Sequence, residues 1–364
     1  MRPSLCLCMI VKNESSVIER CLASVRDLVD IWVVSDTGST DGTQDLVRKA
    51  LAGIPGELVE EPWVDFGHNR SRNVARAREL ARGRADFLLL LDADHVLRQD
   101  GPLPELTADA YMLRHEGALE YRIKRLVRAD LPWRYEGVTH EYLTADRDHE
   151  QRNLDALVIE DHADGGSRHD KFERDARLLG AELVRDPGNP RTVFYLAQTM
   201  RDMGRTREAI GLYERRAAMG GWGEEVYYAL LQVGVLAADA GDWPTAQDAL
   251  LRAWESRPQR LEAVYELASR LRLADRHQAA HALLKEVLDR PAPTEDLLFL
   301  QPWVYRWGLL FEHSITAYWA GDHAASLAAC DRLLGLPDLP EAYREQTRAN
   351  REFAVRSLGA PAGV

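Results

Sequence analysis

The chain has 364 residues, roughly two to three times a common single-domain length, so two domains with full apolar cores are expected. Its 46 Lys and Arg against 58 Asp and Glu leave a net charge of −12, which argues against the diffuse basic face that a nucleic-acid binder needs. Cys6, Cys8, Cys21 and Cys330 form no C-x-x-C pair and no recurring framework, which fits a reducing cytoplasm.

In chain order, residues 5–11, 31–35 and 87–91 are short and continuously apolar, as strands buried on both faces of a mainly parallel sheet are. The first run is cut short by Lys12-Asn13-Glu14, so it reads as neither a secretory leader nor a membrane span, and no stretch of about 20 apolar residues follows elsewhere. An integral membrane segment is not expected, although a peripheral visit to a membrane surface is compatible with the pattern. Between the strands, residues 15–28, 43–51 and 71–82 carry helical spacing. Alternating strands and helices imply right-handed crossovers and a ligand site at the strand C-terminal ends.

From Lys171 the strand pattern stops and a helical one runs almost to the end. Small residues recur as pairs: Gly204 with Ala209, Gly241 with Ala246, Asp275 with Ala280, and Gly321 with Ala325. The first three alanines are 37 and 34 residues apart, and an insertion at 291–302 displaces the fourth. A helix, a short turn and a second helix at a period near 34 resemble tetratricopeptide (TPR) repeats. The predicted organisation is therefore an α/β domain over residues 1–167 and an all-α helical solenoid over 168–364.

Four motifs close predicted strands in the front half. The first is Met9-Ile10-Val11-Lys12-Asn13-Glu14. The second runs from Asp36 through Thr37-Gly38-Ser39-Thr40-Asp41-Gly42-Thr43, a turn whose amides and hydroxyls can meet the polar edges of a nucleotide while Asp36 accepts from a base or ribose. The third, His68-Asn69-Arg70-Ser71-Arg72-Asn73, offers two guanidinium groups at a helix start. The fourth is Asp92-Ala93-Asp94, directly after Leu88-Leu89-Leu90-Leu91. On a continuing strand, residues i and i+2 share a side, so two carboxylates stand together and call for a hard divalent cation, Mg²⁺ or Mn²⁺. On the same strand geometry His95 points away from both.

In order and spacing these motifs resemble the nucleotide-sugar domain of inverting glycosyltransferases of family 2, with the GT-A (Rossmann-like) fold, over residues 4–165. The added TPR-like half resembles a bacterial subgroup of these enzymes. The resemblance implies a metal-dependent transfer of a sugar from a nucleoside-diphosphate sugar, UDP-linked by preference, to a glycan, peptide or small-molecule acceptor. It places Val11, Asn13, Glu14, Asp36, Arg72, Asn73 and Asp92 around the donor, and Asp92, Asp94 and His162 on the metal. For the base it points to the downstream segments Trp133 to Glu141 and Ile159 to His162, where Glu141 is favoured and His140 is a rival. On a strand, neighbours face opposite sides, so only one of these two should enter the site unless a loop bends there.

Other residues read more plainly. Cys6 and Cys8 share a strand face and belong to the core, and Trp133 and Tyr135 are packing residues before they are an acceptor platform. The solenoid is expected to recruit an acceptor or protein partner, to self-associate, or to stabilise. A noncatalytic TPR scaffold that keeps a nucleotide-sugar fold is the competing reading. Nucleotidyl transfer is disfavoured, because no Gly-rich phosphate loop follows the first strand.

Overall fold

A computed structural model of the chain describes residues 2–117, 121–165, 171–296 and 298–359. They form two compact units, Met1–Pro187 and Gly188–Val364. The boundary predicted at 167/168 falls outside the described residues; the helix that follows it, Lys171–Arg185, still belongs to the front unit.

The front unit is α/β. Strands β1 (Leu5–Val11), β2 (Ile31–Asp36), β3 (Gly56–Glu60) and β4 (Phe87–Leu90) are parallel, and helices α1 (Ile18–Val25), α2 (Thr43–Ala50) and α3 (Phe66–Ala81) lie between them in sequence. The sheet continues through β5 (His95–Gln99), β6 (Ala110–Glu116), β7 (Tyr121–Arg128) and β10 (Gln151–Asp161), in the order β3-β2-β1-β4-β7-β6-β10-β5. A hairpin of β8 (Trp133–Glu136) and β9 (Tyr142–Ala145) stands apart, and α4 (Lys171–Arg185) closes the unit. The sheet is mixed rather than mainly parallel, because β7 runs antiparallel to both β4 and β6. The continuous apolar runs mark only the parallel part. β7 carries Arg122, Lys124 and Arg125 and is half-exposed, so it lacks that pattern.

Alternation along β1 builds the two faces of the core. Leu5, Leu7, Met9 and Val11 pack with Ile18, Leu22 and Val25 of α1, whereas Cys6 and Cys8 pack with Val74, Ala77 and Ala81 of α3. Asn73 is the polar pin in that second layer. Its Nδ2 donates to the carbonyls of Met9 (3.0 Å) and Val33 (3.2 Å) and to Ser35 Oγ (3.1 Å), fixing α3 over β1 and β2.

Helix α3 begins five residues before the predicted position 71, capped by Asp65, whose Oδ1 accepts from the His68 amide at 2.7 Å. Its first turn carries no apolar stripe to announce it. There Gly67 lies so close to the 137–141 bend that a Cβ would sit 2.1 Å from the Gly137 carbonyl oxygen. Phe66 donates its amide to the Val138 carbonyl at 3.1 Å, so helix start and bend are joined backbone to backbone.

The rear unit is all-α. It contains the helix pairs α5 (Pro190–Asp202) with α6 (Thr206–Ala218), α7 (Gly223–Asp239) with α8 (Trp243–Ser256), α9 (Glu262–Leu273) with α10 (His277–Lys285), and α11 (Leu309–Trp319) with α12 (His323–Leu334), followed by α13 (Glu341–Gly359). Each pair turns through one left-handed residue: Gly204, Gly241, Asp275 or Gly321, with φ of 71°, 81°, 55° and 87°. The fully buried small residue lies five positions later: Ala209, Ala246, Ala280 and, in the fourth pair, Ser326 rather than the predicted Ala325. Ser326 Oγ donates to the Ser314 carbonyl at 2.7 Å, locking α12 to α11. Among the described residues no helix is long and apolar enough to cross a membrane.

Candidate active site

The first two motifs interlock at the C-terminal ends of β1 and β2. Asn13 takes a left-handed conformation (φ 55°), and its amide donates to Ser39 Oγ at 2.9 Å while its Oδ1 accepts from the Thr40 amide at 2.8 Å. The Glu14 amide donates to Thr43 Oγ1 and the Ser15 amide to Asp41 Oδ2, each at 2.9 Å. Asp36 is buried. Its Oδ1 accepts from the amides of Gly38 (2.9 Å) and Ser39 (2.8 Å), whereas its Oδ2 has no hydrogen-bond partner among the described residues. A buried carboxylate oxygen left without a donor is costly unless a ligand supplies one.

A cavity of about 720 Å³ opens where β1 and β4 end. Val11, Asn13 and Glu14 line one side of it, Asp92 and Asp94 another, and His140 and Glu141 a third. Four of the expected site residues do not line it: Asp36, Arg72, Asn73 and His162. Asn73 is occupied between the strands, and Arg72 points outward to Glu61 Oε2 at 2.8 Å. Arg70, two residues earlier, lines the cavity instead. Two residues along a helix rotate the side chain by roughly 200°, so only one of the two guanidiniums can face inward.

The D-x-D motif is not on a strand. β4 ends at Leu90, Ala93 and Asp94 form a turn, and the two carboxylates take different partners. Asp92 meets Arg70 Nη2 at 2.5 Å and Arg125 Nη2 at 3.0 Å. Burial alone would raise its pKa; the two guanidiniums outweigh that and hold the carboxyl well below the usual carboxylate range. Asp94 instead gathers with His95 and Asp161, with one potential ligand atom from each lying within 4.8 Å of the others.

His95 therefore belongs to the site, against the expectation that it faces away: the turn breaks the strand alternation on which that expectation stood. The antiparallel register of β10 on β5 sets Asp161 directly opposite it. Burial pushes the His95 pKa down, leaving the ring neutral. The Asp92 amide donates to its Nδ1 at 3.2 Å, so Nε2 carries the proton. His162, the next residue after β10, is exposed, lies outside this cluster, and has its Nε2 3.9 Å from Glu160 Oε2.

His140 and Glu141 both reach the cavity because the chain between β8 and β9 bends: Gly137 has φ 104° and His140 φ 50°. Glu141 is largely buried, with Oε1 2.7 Å from Arg70 Nε. Burial raises its pKa, and the pull of Arg70 in the other direction does not cancel this. Helix α4 adds Lys171, Arg174 and Arg177 to the wall, and its Asp175 accepts from Thr139 Oγ1 at 3.4 Å, beside the bend.

Residues 6–155 match the model of glycosyl transferase family 2. Among curated proteins, a TPR repeat-containing protein of Synechococcus elongatus is 36% identical over 147 residues, covering 37% of this chain and 34% of that protein. The SPbeta prophage-derived glycosyltransferase SunS of Bacillus subtilis is 23% identical over 226 residues, covering 57% of this chain and 52% of its own. The chain thus spans about a third to a half of the length of these relatives. Among solved structures, YrrB, described as a TPR protein with an unusual peptide-binding site, aligns at a TM-score of 0.36 and 13% identity over 53% of this chain and 87% of its own. With the matched span running from β1 into β10 and enclosing Glu14, Asp92, Asp94 and Glu141 of the cavity, the front unit carries a glycosyltransferase domain of family 2.

Proposed function

We propose that the front unit transfers a glycosyl group from a nucleoside-diphosphate sugar to an acceptor nucleophile, with inversion at the anomeric carbon and with help from a divalent cation. The observation that carries this reading is the coexistence, in one cavity, of a cation-type donor set (Asp94, His95, Asp161) and a buried carboxylate of raised pKa, Glu141. Family membership supplies the substrate class, and a UDP-sugar is the first donor to test. Cytoplasmic placement remains our proposal for the compartment.

The donor set fits the cation. Carboxylate oxygens from Asp94 and Asp161 suit Mg²⁺ or Mn²⁺, and an imidazole nitrogen tips the choice toward Mn²⁺. To ligate, His95 must release its Nδ1 bond to the Asp92 amide or its Nε2 proton. When bound, the cation supplies charge neutralisation for the departing diphosphate. Glu141 takes the proton from the acceptor as its nucleophile attacks the face of the sugar opposite the leaving group, which is why the configuration inverts. A raised pKa makes Glu141 a stronger base than an exposed glutamate.

A thermal-shift screen of nucleoside diphosphates with and without Mn²⁺ tests the reading, since a ligand that binds only the folded chain raises its melting temperature. The expected result is a nucleotide shift that Mn²⁺ enlarges in the natural chain and no longer enlarges in Asp94→Ala. If no nucleotide shifts the melt under any metal condition, the chain is a scaffold that merely keeps the fold.

A further inference from the structure

We propose that Arg70 is a positioning residue that bridges the donor-side carboxylate Asp92 to the base Glu141, holding Glu141 in place and ionised. The inference rests on the reading of Glu141 as the base.

Arg70 lies in the second turn of α3 with its side chain 15% exposed. Nη2 is 2.5 Å from Asp92 Oδ1, Nε is 2.7 Å from Glu141 Oε1, and the guanidinium carbon sits 5.7 Å from the centre of the Tyr135 ring. One planar guanidinium thus spans two segments that are distant in sequence, hydrogen-bonded to the turn after β4 and in ion-pair contact, without an aligned hydrogen bond, with the bend after β8. The spacing is fixed by backbone. The contact of Gly67 with the Gly137 carbonyl and the Phe66 bond to Val138 clamp the start of α3 onto the bend, while Arg125 Nη2, 3.0 Å from Asp92 Oδ2, steadies the far end.

Charges alternate along Glu141, Arg70, Asp92 and Arg125, so the row is neutral as a whole. The groups acting on Glu141 are Arg70 from α3, Asp92 after β4, Arg125 from β7 and Tyr135 from β8. Among the described residues, Arg70 is the cation within ion-pair distance of it. Without Arg70, Glu141 would keep its burial and the repulsion of Asp92 but lose the cation in contact with it. A lysine at this position keeps the charge but lacks the fork that reaches both carboxylates.

The test compares the full natural chain with Arg70→Met and Arg70→Lys, each first shown folded by circular dichroism and thermal melting. Infrared titration without substrate follows the protonated carboxyl band that Glu141→Gln removes. Its midpoint should rise by about a unit or more in Arg70→Met, a tenfold gain in proton affinity, with Arg70→Lys in between. In donor turnover, Arg70→Met should lower kcat by about 10²-fold, as misplacement of a catalytic group does. Its donor KM should barely change, and the acid limb of its pH profile should move to higher pH. If Arg70→Met folds and neither the infrared midpoint nor the acid limb moves, the bridge is refuted while the enzymatic reading stands. If Arg70→Met is unfolded, the same two readouts on Arg70→Lys decide, an unmoved midpoint again refuting the bridge. If the natural chain turns over no donor, the enzymatic reading falls, and the infrared midpoint alone judges the bridge.

Discussion

Both units bury arginine–carboxylate pairs, and the difference between them separates a scaffold from a site. In the rear unit, Arg216 and Glu225 meet at 2.8 Å and Arg260 and Glu262 at 2.9 Å, all four almost wholly enclosed. Their remaining capacity is spent locally. Arg260 also donates to the carbonyls of Leu298 and Phe299, and Glu262 accepts from Tyr227, Tyr305 and the Gln301 amide, so the pair pins the insertion ahead of α11. In the front unit, Arg70, Asp92 and Glu141 are paired as well, but all three line a cavity. Burial and pairing are common to both; an open wall beside groups with capacity to spare distinguishes the chemistry.

That contrast can be broken most sharply at the carboxylates. Glu141→Gln should lower glycosyl transfer by about 10²- to 10⁴-fold, the usual worth of a general base. Its melting temperature should stay near that of the natural chain, because Arg70 keeps Asp92. Arg260→Met should do the reverse, costing about 3–5 kcal/mol of stability by stranding Glu262 in the core while turnover per folded molecule persists. Denaturant unfolding and steady-state kinetics on both variants decide. A Glu141→Gln chain that is unstable but fully active would place its pair with the scaffold.

How much of this was legible in the sequence follows from where each interaction is encoded. Parallel strands β1, β2 and β4 and the helix pairs are written locally, in continuous apolar runs and in a small residue at fixed distance from a turn, whereas the parallel strand β3, Gly-Glu-Leu-Val-Glu, carries no such run. The D-x-D motif was legible as two carboxylates after an apolar run, but their separate partners were not: Asp92 goes to Arg70 and Arg125, and Asp94 to His95 and Asp161. Asp161 comes to His95 through the register of β10 on β5, a pairing across 66 residues that no local pattern carries. That Arg70 rather than Arg72 lines the cavity follows from the phase of α3, which the polar start of that helix concealed. His140 and Glu141 both enter the cavity because of a bend that alternation on an assumed strand rules out; Gly137 was the available hint.

Titration offers a second contrast between the units. His313 in α11 is buried, stacks on His281 at 5.1 Å, and has no hydrogen-bond partner for either ring nitrogen among the described residues. Burial first, and His281 second, push its pKa down to about 4. The unfolded chain, with an ordinary value near 6.5, therefore binds more protons between these limits, so stability is complete above about pH 6.5 and falls as the pH drops toward 4. At roughly 1.4 kcal/mol per unit the loss is on the order of 3 kcal/mol. His313→Leu should remove this dependence, so the natural chain should lose stability relative to the variant as the pH falls. Parallel unfolding curves for the two chains would refute the assignment.

The smallest effect tests the repeat register inside the rear unit. Ala325 and Ser326 are both small, so composition cannot choose between them; the left-handed residue Gly321 does, by counting five positions as in the other three pairs. Ser326 is enclosed against α11, whereas Ala325 is partly exposed. Ser326→Leu should therefore cost about 1–3 kcal/mol from overpacking, and Ala325→Leu about 0.5 kcal/mol or less, as at ordinary surface positions. Equal losses at the two sites would mean that α12 is rotated by a residue from the phase given by its turn, and that the fourth pair does not repeat the geometry of the first three.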